Sequence, residues 1–141
     1  FVASLGEMNS RNKSGKAILR ARDVGVLPPQ RVQEPKDDWV AVITTTGRLL
    51  IFPLAELPRM ARGKGVKLMN IPAAKYKTGH EKIVDLAVFQ DGDQLRLTAG
   101  RQHMTLKPTD FEAYVGSRAQ RGRVLPRGYK RPERIEPLSA R

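Results

Sequence analysis

Short apolar runs separated by turn residues occupy most of this chain. Residues 40–44 and 83–89 are rich in β-branched side chains, as is typical of buried or half-buried strands. Ten prolines and twelve glycines are spread along the length, which argues against long helices. The pattern predicts an all-β protein with strands over 1–5, 16–20, 39–44, 48–52, 66–71, 82–89, 94–99, 102–106 and 123–125.

Turn residues divide these strands. Residues 90–93, Gln-Asp-Gly-Asp, predict a β-hairpin between two strands, because Asp-Gly readily adopts the left-handed backbone of a tight turn. Pro53 ends the strand before it, since proline has no amide hydrogen for a ladder. Residues 54–57 and 109–112 each predict one helical turn at equivalent places.

From Pro126 onward the chain is rich in proline and arginine, and the sequence predicts one domain over residues 1–134 and a flexible tail over 135–141. Residues 30–38 are polar and predict a connector. The chain opens on the apolar residues Phe1 to Leu5, which we interpret as a strand already in progress and hence as a domain fragment.

A pattern of cations around a glycine, followed by an apolar run, occurs three times. The glycines are Gly15, Gly65 and Gly122, which are 50 and 57 residues apart. A second pattern repeats after 53 residues, with Gly47-Arg48 corresponding to Gly100-Arg101. Periods of this length are typical of propeller-like architectures. Because the repeated element is cationic, we expect a polyanionic partner.

The charge of the chain supports that expectation. The net charge is +12 and the sequence pI about 10.6. Residues 1–35, 36–90 and 91–141 carry net charges of +3, +4 and +5, so the excess is not confined to one basic arm. With 40% apolar residues the chain is not a disordered basic tail. A field of this extent attracts a long anion such as a nucleic acid.

Other classes of chemistry find little support. The chain has no cysteine, which excludes disulfides and thiol catalysis and fits a reducing compartment. No apolar run approaches the length that crosses a membrane. His80 and His103 have no ligand-forming residues at metal-site spacing, and Trp39 is predicted to lie in the core. We therefore predict neither a metal site nor a catalytic residue within this chain.

The ordered set of motifs resembles a known family. Residues 48–58, then Arg62 to Leu68, the Asp-Gly turn, the second Gly-Arg strand and Arg121-Gly122 resemble the C-terminal domains of bacterial type IIA topoisomerase A subunits. Residues 59–65 match the gyrase box, Gln-Arg-Arg-Gly-Gly-Lys-Gly, only at the last three positions. The resemblance is therefore nearer to topoisomerase IV than to gyrase.

This resemblance implies a β-pinwheel, a propeller-like disc of four-stranded blades that exchange strands, with about three blades in this chain. It also implies sequence-nonspecific binding and bending of duplex DNA for strand passage. The parent enzyme would be bacterial and cytoplasmic, with ATP and Mg²⁺ used outside this fragment and a B subunit completing an A2B2 heterotetramer.

The predicted DNA-binding residues share one setting, a cation beside a corner glycine that lets the backbone approach a phosphate. They are Arg11, Lys13, Lys16, Arg48, Arg62, Lys64, Lys67, Arg101, Arg118, Arg121 and Arg123, with a second tier of Lys75, Lys77, Arg127, Lys130 and Arg131.

Alternatives remain open at this point. They are a gyrase A domain, a structural RNA-binding protein, and a module that binds an acidic protein. Aromatic residues form only 6% of the chain and no recognition helix is evident, so phosphate contact is favoured over base readout.

Overall fold

The computed structural model describes residues 1–4, 27–60 and 65–139, and strands dominate them. Short 3₁₀ helices follow two of the strands, over Leu54–Glu56 and Pro108–Ala113, and one short α-helix, α1, spans Ala73–Lys77. The strands are β1 Trp39–Thr44, β2 Arg48–Pro53, β3 Ile83–Phe89, β4 Gln94–Ala99, β5 Gln102–Leu106, β6 Arg123–Val124 and β7 Arg134–Leu138.

The described strands form two antiparallel sheets built on one plan. Sheet 1 has the order β3-β1-β2-β6, and sheet 2 has the order β5-β4-β7. In each, a hairpin is followed by a 3₁₀ helix, and a later strand returns to pair with the first strand of that hairpin. The repeated glycines lie at the hairpin tips with positive φ, +83° at Gly47 and +61° at Gly100. The all-β prediction and the correspondence of these two tips are confirmed.

Strand β6 joins the two repeats. It lies in the second repeat along the chain but pairs with β2 of the first, with Arg123 opposite Leu49 and Val124 opposite Arg48. The amide of Leu125 then donates a hydrogen bond of 2.7 Å to the carbonyl of Gly47. The repeats therefore exchange a strand, which is the arrangement of a β-pinwheel.

The core lies mainly between the two sheets and follows from the period-two alternation of strands. Ala41, Ile43, Leu49 and Ile51 of sheet 1 belong to one buried cluster with the apolar residues of sheet 2. The alternate residues Val40, Val42, Leu50 and Phe52 form a second cluster on the other face, with Leu54 and Met69. Sheet 1 is thus buried on both faces, which explains its nearly continuous apolar strands.

Sheet 2 has one apolar and one polar face. Leu95 and Leu97 are fully buried, whereas the intervening Arg96 is partly exposed. Arg96 donates to the Glu136 carboxylate at 2.7 Å across the pair β4–β7. Trp39, predicted as core, is partly buried and packs against the cluster between the sheets.

Two predicted strands near the N-terminal side need correction. Residues 66–71 form no strand; Leu68 and Asn70 instead make single backbone bonds to Ala119 and Gln120. Of the strand predicted over 1–5, residues 1–4 form one isolated bridge, from Val2 to Arg59. The strand predicted over 16–20 lies outside the described residues.

The predicted hairpin at 90–93 is wrong, although its turn exists. Gly92 has a φ of +88°, and the amide of Asp93 donates to the carbonyl of Gln90 at 3.0 Å. However, β3 pairs with β1 and β4 pairs with β5 and β7, so the turn connects the two sheets.

The predicted tail also needs correction. Residues 135–138 of the supposed tail belong to β7, Arg134–Leu138, which pairs with β4 and buries Ile135 in the core. Its partner strand, β4, lies about 40 residues earlier in the sequence, so local composition does not reveal β7.

Candidate nucleic-acid interface

The tip of the first hairpin is covered by a cationic segment. Residues 127–131, which we call the basic strap, run Arg-Gly-Tyr-Lys-Arg. Gly47 is buried beneath it, and a Cβ atom added to Gly47 would lie 2.6 Å from the Cα atom of Lys130. Only glycine tolerates this close approach together with the positive φ at the turn. The backbone of the strap therefore packs directly against the tip.

The strap also reaches the second hairpin. The Tyr129 hydroxyl donates a hydrogen bond of 2.8 Å to the carbonyl of His103. His103 lies in β5, close to the Gly100-Arg101 tip. Arg127, Lys130 and Arg131 of the strap are all exposed. Their shared backbone thus carries three cations across the ends of both hairpins.

The other side of the first tip is lined by the segment between α1 and β3. The amide of Thr45 donates to the carbonyl of Lys82 at 2.9 Å, and the amide of Lys82 donates to the Thr45 hydroxyl at 3.1 Å. Helix α1 buries none of its residues and exposes Lys75 and Lys77. This segment therefore adds further cations beside the tip.

We call the exposed cations on the segments bordering the two hairpin tips the tip rim. Within the described parts of the chain they are Lys75, Lys77, Lys82, Arg101, Arg123, Arg127, Lys130, Arg131 and Arg134. Five of them belong to the second tier of the predicted residues, and neither Lys82 nor Arg134 is among the predicted residues. The motif Arg127-Gly128 was itself a cation beside a glycine and could have raised the rank of the strap.

The structure separates the predicted DNA-binding residues into three groups. Lys67, Arg101 and Arg123 are exposed. Arg48, Arg118 and Arg121 instead donate hydrogen bonds from their guanidinium groups to other parts of the fold. The remaining five lie outside the described residues and stay predictions: Arg11, Lys13, Lys16, Arg62 and Lys64.

Arg121 makes the strongest of these internal contacts. Its two terminal nitrogens donate to the two carboxylate oxygens of Glu81 at 2.6 and 2.5 Å. The Glu81 side chain is fully buried, whereas that of Arg121 retains 26% exposure. The Thr46 hydroxyl also donates to Glu81, at 2.9 Å. Burial opposes ionisation of this carboxyl, but the hydrogen bonds from Arg121 and Thr46 outweigh it and lower the pKa of Glu81.

Arg48 and Arg118 bind backbone carbonyls. Arg48 Nη1 donates to the carbonyl of Gly122 at 3.1 Å, and Arg118 Nη1 donates to the carbonyl of Lys67 at 2.7 Å. The amide of Arg118 in addition donates to the Glu56 carboxylate at 2.9 Å. Arg48 thus connects β2 to the segment before β6, and Arg118 connects two loops.

Other chemistry is sparse in the described parts of the chain. They contain no group of three or more His, Cys, Asp or Glu side chains placed to hold a metal ion. None of the helices within those same ranges is long and apolar enough to cross a membrane. Burial, with a smaller effect of the Asp110 charge, raises the pKa of Tyr114.

Comparison with known proteins agrees with this architecture. The family described as the DNA gyrase C-terminal domain, a β-propeller, matches residues 38–90. The A subunit of DNA topoisomerase 4 from Pseudomonas aeruginosa is 39% identical over 136 residues, which is 96% of this chain and 18% of that protein. The corresponding protein of Escherichia coli strain K12 is 33% identical over 136 residues, again 96% of this chain and 18% of that protein. The chain therefore spans about 18% of the length of these relatives.

Solved structures show the same fold. The C-terminal domain of E. coli ParC superposes with a TM-score of 0.82 at 31% identity, covering 97% of this chain and 55% of that one. A C-terminal domain of DNA topoisomerase IV superposes with a TM-score of 0.72 at 19% identity, covering 97% of this chain and 42% of the other. Sequence and fold agree: the chain belongs to the β-pinwheel C-terminal domains of bacterial type IIA topoisomerase A subunits, and it is similar to those of topoisomerase IV.

Proposed function

We propose that this domain binds and bends duplex DNA without reading its sequence, as the C-terminal domain of a topoisomerase IV A subunit. The observation that carries the proposal is the tip rim, a set of exposed cations on segments bound to both hairpin tips. Exposed cations bind phosphates. Phosphate contacts position a duplex without distinguishing its bases, so such a surface binds DNA without sequence preference.

The rim favours bending over base readout. Helix α1 has five residues, too few to serve as a recognition helix in the major groove. Its cations and those of the strap border two tips that belong to different sheets. A duplex that contacts both tips has to follow the curvature of the disc, so preference among sequences would come from their ease of bending.

The proposal extends to the parent enzyme through its similarity to topoisomerase IV proteins. The domain would present a DNA segment for ATP-dependent strand passage, which relaxes and decatenates chromosomes. A B subunit would complete an A2B2 assembly in the bacterial cytoplasm near the nucleoid, with ATP and Mg²⁺ bound outside this domain. The incomplete gyrase box at 59–65 supports relaxation and decatenation in preference to negative supercoiling.

A pair of charge-matched variants tests the role of the rim. The double substitution Arg127→Gln, Lys130→Gln removes two cations from the strap, and Lys36→Gln, Lys107→Gln removes two exposed cations at the opposite ends of the strands. Measured by fluorescence anisotropy on duplex DNA, the strap variant should flatten the slope of log K against log salt by about 2, whereas the control leaves it nearly unchanged. Equal effects of the two pairs would reject the rim as the binding surface.

Competition distinguishes the other candidate partners. We expect unlabelled duplex DNA to displace the labelled duplex, and structured RNA of equal length to compete less well. Stronger competition by the RNA would favour the RNA-binding alternative. Failure of the wild-type domain to bind any nucleic acid would favour an acidic protein partner.

A further inference from the structure

Glu81 joins three separate elements at the base of the first hairpin tip. It lies just before β3, and its carboxylate accepts hydrogen bonds from Thr46 in the tip and from Arg121 in the second repeat. The pair of Glu81 and Arg121 spans 40 residues of sequence. The contact therefore connects the two repeats at the point where one strand crosses between them.

A buried ion pair of this kind is better suited to fixing geometry than to adding stability. Removing two charges from water is unfavourable, and well-packed apolar side chains often stabilise a fold as much or more. The fork of an arginine on a carboxylate, however, sets both the distance and the orientation of the two chains. Glu81 has no exposure at all, so its carboxylate depends on these partners.

The strand that follows Arg121 is too short to define its own position. Strand β6 has two residues and pairs only with Arg48 and Leu49. A slip of one residue would turn its side chains to the opposite faces of the sheet. Before it, Gly122 has a φ of +76°, and a Cβ atom there would lie 2.8 Å from the carbonyl oxygen of Leu49. The contacts at Arg121 and Gly122 fix β6 at its start, and the buried Leu125, bonded to Gly47, fixes it at its end.

We propose that Glu81 is a positioning residue for DNA binding. By holding Arg121 it fixes the register of β6, and it thereby presents Arg123 and the basic strap that follows to the DNA. Arg121 itself contributes little to phosphate binding in this arrangement, because the Glu81 carboxylate neutralises its charge and orients its two terminal nitrogens away from the DNA-binding surface. This inference rests on the proposed function, and the experiment below separates the failure of one from the failure of the other.

The second repeat supplies a matched control residue. Glu133 occupies the position equivalent to Glu81, since Tyr76-Lys77 and Glu81-Lys82-Ile83 correspond to Tyr129-Lys130 and Glu133-Arg134-Ile135. Glu133 is exposed, and its amide donates to the carbonyl of Thr98 at 2.8 Å. Glu81→Gln and Glu133→Gln therefore change the net charge equally, but only the first disturbs the Arg121 contact.

The experiment compares these two variants with the wild-type domain on duplex DNA over a range of salt concentrations. If Glu81 acts by position, Glu81→Gln weakens binding about fivefold near physiological salt and flattens the salt slope by about 1, because one phosphate contact is lost. Glu133→Gln binds as well as the wild type or slightly better. If charge alone matters, both variants bind slightly better, and that result would overturn the inference.

Further variants keep the test valid if Glu81→Gln folds poorly. Thr46→Val removes one of the hydrogen bonds to Glu81 without changing charge, and Arg121→Lys keeps the charge but loses the fork. Both should reproduce the weaker binding and the flatter slope while circular dichroism shows a folded domain. Folded variants with wild-type slopes would contradict the positioning role.

The proposed function has a separate readout in the same experiment. A wild-type domain that does not bind DNA refutes the function. A wild-type domain that binds DNA, with Glu81→Gln indistinguishable from Glu133→Gln, refutes only the role of Glu81.

Discussion

The close approach of the basic strap to Gly47 leads to a quantitative prediction for Gly47→Ala. The backbone at Gly47 has a φ of +83°, and the new Cβ atom would lie 2.6 Å from Lys130 Cα and 2.9 Å from Lys130 O. These are backbone atoms, so rotation of a side chain cannot relieve the contact. The strap or the hairpin tip must move.

Gly100, the equivalent glycine of the second repeat, allows the backbone penalty of the substitution to be separated from the cost of overpacking. Gly100 has a φ of +61°, but a Cβ atom there would meet no atom within 4 Å. Gly100→Ala therefore carries only the left-handed backbone penalty of about 1–2 kcal/mol. Gly47→Ala carries a similar penalty and also the overpacking cost of about 1–3 kcal/mol. We expect Gly47→Ala to be the more destabilising of the two by about 1–3 kcal/mol.

Urea denaturation of the two variants measures this difference directly. The slopes with denaturant should match that of the wild type, so that the midpoints report stability. Hydrogen exchange supplies a local measurement, because the amide of Leu125 is bonded to the carbonyl of Gly47. Its protection should fall in Gly47→Ala and persist in Gly100→Ala. Equal destabilisation by the two substitutions would show that the strap does not pack against the tip as described.

Three further predictions concern the core, the buried carboxyl and the parent enzyme. Phe52→Ala should lower the free energy of unfolding by about 3–5 kcal/mol, since Phe52 is fully buried, while DNA affinity of the folded variant is unchanged. The folded state lowers the pKa of Glu81, so ionised Glu81 stabilises the fold above its ordinary pKa of 4.5. This contribution is lost as the pH falls through the folded pKa. The free energy of unfolding of Glu81→Gln, measured by urea titration at several pH values, should lack this part of the pH dependence. The intact parent enzyme, supplied with ATP, should relax and decatenate plasmids; introduction of negative supercoils would contradict the comparison with topoisomerase IV.

Local sequence pattern predicted the hairpin strands well. The predicted bounds 39–44, 94–99 and 102–106 coincide with β1, β4 and β5. Apolar alternation and turn glycines depend on neighbouring residues only, so these features are visible in the sequence.

Pairing between distant strands is harder to predict from the sequence. The turn at Gly92 was predicted, but β3 pairs with β1 and not with β4, because partner choice depends on the packing of whole sheets. Strand β7 includes Pro137 and resembled a tail, yet its pairing with β4 and the burial of Ile135 make it part of sheet 2. Neither outcome has a local signal in the sequence.

In the candidate site, too, local features are predicted from the sequence and long-range contacts are not. The family resemblance and the cation-glycine pattern indicated exposed residues such as Arg101 and Arg123. The same pattern also selected Arg121, whose partner Glu81 lies 40 residues away with no motif to mark it. Which cation is exposed and which is bound within the fold is determined by these long-range contacts.

The salt dependence of duplex DNA binding by the wild-type domain tests the central claim most directly. If the rim contacts about six to eight phosphates, log K against log salt should fall with a slope of about −5 to −7. A slope shallower than about −2 would mean that the cations at the hairpin tips are mainly solvated and would contradict the account.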